Sequence, residues 1–164
     1  MKREQFIQLV SSEQKQLRRF LHALNCGNRD EADDIAQEAL VKAYLASSKL
    51  AEDGNFNAWL YKIAYNTFLD HKRSSRTMKP IEEAANIVGM LDADSTFQYQ
   101  ELYAALEKLP PKERTSILLF YLKGYSRKEI SNIVECSVDA VKKQLSRGRE
   151  QLKTLMKDDR RKVL

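Results

Sequence analysis

The sequence predicts an all-α chain of two small helical domains joined by a flexible linker, and three observations carry that reading. Apolar residues recur at spacings of three and four from Arg3 to about Arg73 and again from Leu102 to about Lys157, the period of a helix with one buried face. Glycine and proline are scarce, 5 and 3 in 164 residues, whereas strands joined by tight turns need many of both. Between the periodic stretches, Ser74 to Gln100 collects Ser, Thr, Pro, Gly and scattered acids, the texture of a tether, with a short helix expected around Glu82 to Val88. The expected division is residues 1–76, a linker over 77–100, and residues 101–164.

In the first half, Asn28 to Ala46 reads as a helix with a polar cap and an acidic first turn. Ala32, Ile35, Ala36, Ala39, Ala43 and Tyr44 form its expected buried side. Phe56 to about Arg73 is the next helix, with Asn57 as its expected cap and Trp59, Leu60, Ile63, Ala64 and Thr67 facing inward. In the second half, Leu109-Pro110-Pro111 ends one helix and starts another, because proline disfavours a helical residue before it and fits the first turn after it. That helix should stop at Lys123-Gly124, where glycine takes the left-handed cap. Ser126-Arg127-Lys128-Glu129 is a capping box opening a short helix over Arg127 to Val134. After the turn Glu135-Cys136-Ser137, a longer helix carries Val138, Val141, Leu145, Gly148, Leu152 and Leu155 on one stripe.

Composition excludes several classes. With 43% hydrophobic and 31% charged residues the chain has material for real cores, and its mean hydropathy of −0.56 is wrong for a membrane protein. No run approaches the ~18 apolar residues of a spanning helix, and MKREQFIQ lacks the apolar core of a signal peptide, so a cytoplasmic protein is expected. Cys26 and Cys136 are too far apart in sequence for a disulfide framework, and both read as small packing residues. His22 and Cys26 stand one helical turn apart but lack a third ligand, so neither metal nor cofactor is expected. No nucleophile, base and oxyanion donor share a motif and no glycine-rich phosphate loop occurs, which argues against an enzyme.

Charge points to partners. The formal charge is +5, and its excess sits in the last third, where Glu101 to Leu164 holds 15 Lys and Arg against 9 Asp and Glu. Lys142, Lys143, Ser146, Arg147, Arg149 and Lys153 fall largely off the apolar stripe of the last helix. A capped short helix, a tight turn and a basic amphipathic helix make a helix-turn-helix, whose second helix enters the major groove. Lys and Arg neutralise phosphate and donate to guanine, and Gln144 can offer an amide edge to adenine. A helical hairpin in an interaction domain would share the same apolar pattern. On the Phe56 helix, Tyr61, Lys62, Tyr65 and Asn66 interleave aromatics with polar groups, which suits stacked single-stranded bases or half-buried packing. Asp33, Asp34, Gln37 and Glu38 cluster off the buried side of the Asn28 helix; the macrodipole explains the early acids but not Gln37 beside Glu38.

Together, DEADDIAQEALVKAY, FNAWLYKIAYNTFLDHKR and the stretch from LPPKERTSILLFYLKGYSRKEI to the basic helix resemble a bacterial RNA polymerase sigma factor of the extracytoplasmic-function type, which has only sigma regions 2 and 4. The resemblance implies that Asp34, Gln37 and Glu38 contact core RNA polymerase at the clamp helices of its largest catalytic subunit. It implies that Lys62, Tyr65 and Asn66 face the minus-ten element of promoter DNA and that the loop from Ser47 to Asn55 receives a flipped base. Lys142, Lys143, Ser146, Arg147 and Arg149 would read the minus-thirty-five element, and an anti-sigma factor would restrain the free protein. Tyr65 departs from the basic residue frequent in this helix. The rival readings are a helix-turn-helix regulator with an N-terminal dimerisation or sensing module, and a helical adaptor without DNA contact.

Overall fold

The computed structural model describes residues 1–50, 54–74 and 100–163, with side chains up to residue 156. The helix expected around Glu82 to Val88 lies outside the described residues. Seven α-helices occur among them: α1 (Arg3–Leu24), α2 (Arg29–Ala46), α3 (Phe56–Ser74), α4 (Gln100–Lys108), α5 (Pro111–Tyr121), α6 (Arg127–Val134) and α7 (Val138–Val163). A short 3-10 turn, Ser47–Lys49, follows α2.

The first three helices pack as a bundle around α2, whose buried face is almost all alanine: Ala32, Ala36, Ala39 and Ala43, with Ile35. Small residues on the middle helix let its neighbours approach closely and supply the bulk themselves. Leu17, Phe20, Leu21 and Leu24 come from α1, and Leu60, Tyr61 and Phe68 from α3, all fully buried. Each such side chain contributes about 1.5–3 kcal/mol by leaving water. The Asn28 side chain accepts from the Glu31 amide at 3.2 Å and caps α2. The cap of α3 is Asn55, which accepts from the Ala58 amide at 3.2 Å, and not Asn57, which lies within the first turn. Tyr44, expected to be buried, is instead exposed, in the last turn of α2, and meets Phe6 edge-on at 5.5 Å.

The last four helices contribute Leu106, Leu109, Ile117, Leu119, Ile130, Ile133, Val141 and Leu145 to an apolar core continuous with that of the first three. Their local signals match the sequence closely. Ser126 Oγ accepts from the Glu129 amide and Glu129 Oε1 from the Ser126 amide, both at 3.1 Å, closing the capping box. Ser137 Oγ accepts from the Ala140 amide at 3.1 Å and opens α7. Gly124 takes φ +71, as a left-handed helix stop requires. Glu135 also adopts the left-handed region, φ 54, which costs a non-glycine residue roughly 1 kcal/mol and sets the sharp turn between α6 and α7. Gly148 is where α7 crosses α5: a Cβ there would lie 2.7 Å from Ile117 Cγ1.

The sequence leaves the relative placement of the two halves open, and the structure packs them together. Helix α6 lies against α3 and α5 against α1. Arg114 of α5 is buried at this junction. It donates to the carbonyls of Leu106, Glu107 and Leu109 behind α4 and to Leu24 O at the end of α1, at 2.8–3.2 Å. The guanidinium thus satisfies carbonyls that helix C-termini leave without intrahelical partners, and its charge complements their dipoles.

Candidate functional site

Three surfaces carry the residues singled out by sequence. On α2, Asp34, Gln37 and Glu38 are all exposed. Glu38 is engaged with its neighbours, meeting His71 Nε2 at 2.5 Å and Lys42 Nζ at 3.4 Å, and the bond to His71 holds its carboxyl below the usual range. Following the helix at steps of three and four, Glu38 leads to Val41 and Leu45, which are 58% and 73% exposed. This apolar continuation was missed by the sequence reading. Its spacing from Asp34 and Glu38 was the available signal.

On α7 the apolar stripe is buried at Val141, Leu145 and Gly148, and Lys142, Lys143, Ser146, Arg147 and Arg149 stand exposed beside it. Val138, expected on the stripe, is exposed, because α7 begins beyond the edge of the core. Lys142, Ser146 and Arg149 form one row along the helix, and Lys143 and Arg147 a second. Arg149 Nη1 donates to the Tyr121 hydroxyl at 3.1 Å, which fixes its direction. Gln144 behaves differently from its expected role: its Oε1 accepts from Ser116 Oγ at 2.6 Å, so the amide ties α7 to α5 rather than facing outward.

On α3 the expected inward face is only partly right. Tyr61 and Tyr65 are buried, at 0% and 4% exposure, whereas Trp59 and Ile63 are half-buried. The reason is tertiary: α3 has a second neighbour, α6, on the side that periodicity assigned to solvent. Tyr61 meets Tyr125 at 5.7 Å and donates to Glu13 Oε1 at 2.9 Å. Burial pushes the hydroxyl pKa values of Tyr61, Tyr65 and Tyr125 up. Lys62 Nζ pairs with Glu135 Oε1 at 2.9 Å, and Asn66 remains exposed. A cleft of about 590 Å³ runs along this junction, lined by Tyr65, Leu69, Arg73, Pro110, Gln144 and Arg147. Of the loop from Ser47 to Asn55, residues 51–53 lie outside the described residues.

Other sequence expectations concern metals and membranes. His22 Nε2 contacts Gly27 O at 3.2 Å and its ring meets Tyr103 at 5.6 Å, so it serves the packing of α1 on α4. Cys26 and Cys136 are both free thiols, half-buried against the core. No cluster of three or more metal-ligating side chains occurs among the described residues, and none of their helices is long and apolar enough to cross a membrane.

A basic helix-turn-helix packed against a three-helix bundle, each with its own polar face, fits the class that the sequence resemblance implies, a two-region transcription initiation subunit. Comparison with known proteins agrees with that class. Residues 9–77 match the family described as Sigma-70 region 2, and residues 99–152 match Sigma-70, region 4. The chain is 30% identical over 143 residues to the ECF RNA polymerase sigma factor EcfG of Rhodopseudomonas palustris, covering 85% of this chain and 78% of that one. It is 32% identical over 148 residues to SigW of Bacillus subtilis, covering 80% and 79%. Among solved structures it resembles the sigma factor RpoE in complex with the anti-sigma factor NepR from Bartonella quintana. The TM-score is 0.76 at 27% identity, over 94% of this chain and 98% of that one. CnrH in complex with the cytosolic domain of CnrY gives 0.71 at 26% identity, over 96% and 91%. The chain belongs to the ECF RNA polymerase sigma factors, which direct transcription initiation from specific promoters.

Proposed function

We propose that this sigma factor divides its work among the three surfaces, with residues 1–76 joining polymerase and the minus-ten element, 77–100 linking, and 101–164 reading the minus-thirty-five element. Asp34, Gln37 and Glu38 engage the clamp helices of the largest catalytic subunit of core RNA polymerase. Lys142, Lys143, Ser146, Arg147 and Arg149 enter the major groove, where phosphate contacts fix register and base edges supply sequence. Lys62, Tyr65 and Asn66 face the minus-ten strand, whose captured base stacks rather than pairs. The chain supplies recognition and no catalytic residue; polymerase performs the synthesis. It works in the cytoplasm under the restraint of an anti-sigma factor, a partner class present in the solved complex of RpoE with NepR.

The observation that carries this reading is α7. Its apolar stripe is fixed into the core by Val141 and Leu145, while its cations face solvent behind a capped short helix. An interaction hairpin would share the buried stripe; what favours duplex reading is the set of exposed cations Lys142, Lys143, Arg147 and Arg149 on the helix that follows the tight turn. Tyr65 is buried in the docked arrangement and reaches DNA only when the halves separate, whereas the half-exposed Lys62 has only to give up Glu135, so polymerase must hold the halves apart as well as dock them. The test is run-off transcription from a genomic fragment library with core polymerase plus this chain. Discrete start sites support the proposal. Asp34→Ala with Gln37→Ala should lower holoenzyme assembly at unchanged helical content. Polymerase that gains neither the chain nor promoter selectivity would refute the reading.

A further inference from the structure

The junction between the halves contains a buried ion pair whose place in the molecule the two DNA-reading surfaces do not explain. Lys123, just after α5, donates to Glu13 of α1 at 2.5 Å, and both side chains are only 8% exposed. Gln16 also accepts from Lys123, and the ammonium lies 5.0 Å from the Tyr61 ring centroid, whose hydroxyl donates to the same Glu13 oxygen. Both charges are withdrawn from water: the ammonium of Lys123 is satisfied by Glu13 and Gln16 of the other half, and Glu13 by Lys123 together with Tyr61 of its own half. Such a pair adds little to general stability, but losing either member leaves a buried charge alone, so it specifies one docked arrangement over looser ones.

What that arrangement covers is selective. It buries Tyr65 and places the Glu135 carboxylate on Lys62, two of the three residues assigned to the minus-ten strand. It leaves Lys142, Lys143, Ser146, Arg147 and Arg149 in solvent. Glu135 holds its position in a left-handed conformation that glycine would adopt without strain. Its carboxylate offers Lys62 the anionic oxygen that a backbone phosphate would otherwise offer.

We infer that Glu13–Lys123 is an intramolecular latch that keeps the free chain closed, with Glu135 standing in for DNA phosphate on Lys62. Single-strand capture is thereby blocked while duplex reading stays open. The inference rests on the assignment of α3 and α7 to the two promoter elements.

The test uses the full chain and its variants Glu13→Lys, Lys123→Glu and the double reversal. Solution scattering reports compactness, and fluorescence anisotropy reports binding to a labelled mixed-sequence single-stranded 20-mer and to the duplex of the same sequence. The single-strand to duplex affinity ratio cancels the opposite net-charge changes of the two single variants. Both are expected to expand and to raise that ratio at least fivefold, and the double reversal to restore both values. Glu135→Gly relieves the strained φ and keeps the fold, and is expected to raise the ratio about twofold while the chain stays compact. Single variants that remain compact, or an unaltered ratio in all of them, would overturn the latch. If wild type fails to direct transcription with core polymerase, the functional assignment fails whatever the scattering shows. Normal transcription with compact variants refutes the latch alone.

Discussion

The two helices proposed to read promoter DNA differ in what covers them. Helix α7 buries its apolar stripe within its own half and leaves its cations in water, whereas α3 is packed on two sides and has lost Tyr65 to the interior. The first surface is built by neighbours close in sequence: Gly148 crosses Ile117, and Ser126 caps the helix that precedes the turn. The second depends on residues brought from far along the chain, such as Tyr125 and Glu135 against Tyr61 and Lys62. A surface completed locally is exposed by default. One completed by another module is accessible only when that module departs.

The strongest way to break this contrast is through the junction. Arg114→Ala removes donors from four carbonyls, three of them buried with the guanidinium, and is expected to lower unfolding stability by roughly 3 kcal/mol or more in urea titration. Next comes the recognition module itself. Gly148→Leu forces a side chain into Ile117 and is expected to cost about 2–3 kcal/mol, seen as an earlier thermal transition together with lost duplex binding. Arg147→Ala leaves the fold intact; duplex affinity should fall about tenfold and the slope of log affinity against log salt by about 1. Ser126→Ala opens the capping box and should cost about 1 kcal/mol, read by the same urea titration.

The smallest effect sharpens the comparison through pH. Burial lowers the pKa of His22 below its ordinary 6.5, where it packs between α1 and Tyr103. The unfolded chain therefore binds a proton that the folded chain refuses as pH falls below 6.5. Stability from this group is complete above that value and declines toward the lowered folded pKa. A urea midpoint that falls between pH 7.5 and 5.5, with a smaller fall in His22→Phe, is the expected result.

The same contrast explains how much was legible in the sequence. The capping box at Ser126 and Glu129, the stop at Gly124 and the centre of the α7 stripe at Val141, Leu145 and Gly148 follow from local chemistry, and the structure has each where spacing put it, whereas Val138 at the start of the stripe is exposed. Tyr61 and Tyr65 lie off the one buried face that periodicity describes, which leaves base stacking and half-buried packing both open; α3 has two packed faces, and both rings are buried in the free chain. Lys123 read only as part of a helix stop, since nothing near it in sequence announces Glu13. Arg114 likewise read as one charge in a proline-led first turn, its four acceptors coming from the ends of other helices. Gln144 shows the reverse case: a residue type fit for base reading is held in the free chain by Ser116, a partner on the helix that α7 crosses.

The most direct measurement is hydroxyl-radical labelling of tyrosines in the full chain, free and assembled with core polymerase in the absence of DNA. The expected result is weak labelling of Tyr61 and Tyr65 in the free chain against strong labelling of the exposed Tyr44 and Tyr121, with Tyr65 becoming reactive on assembly. Tyr65 as reactive as Tyr121 in the free chain, or still shielded in the DNA-free holoenzyme, would contradict the account.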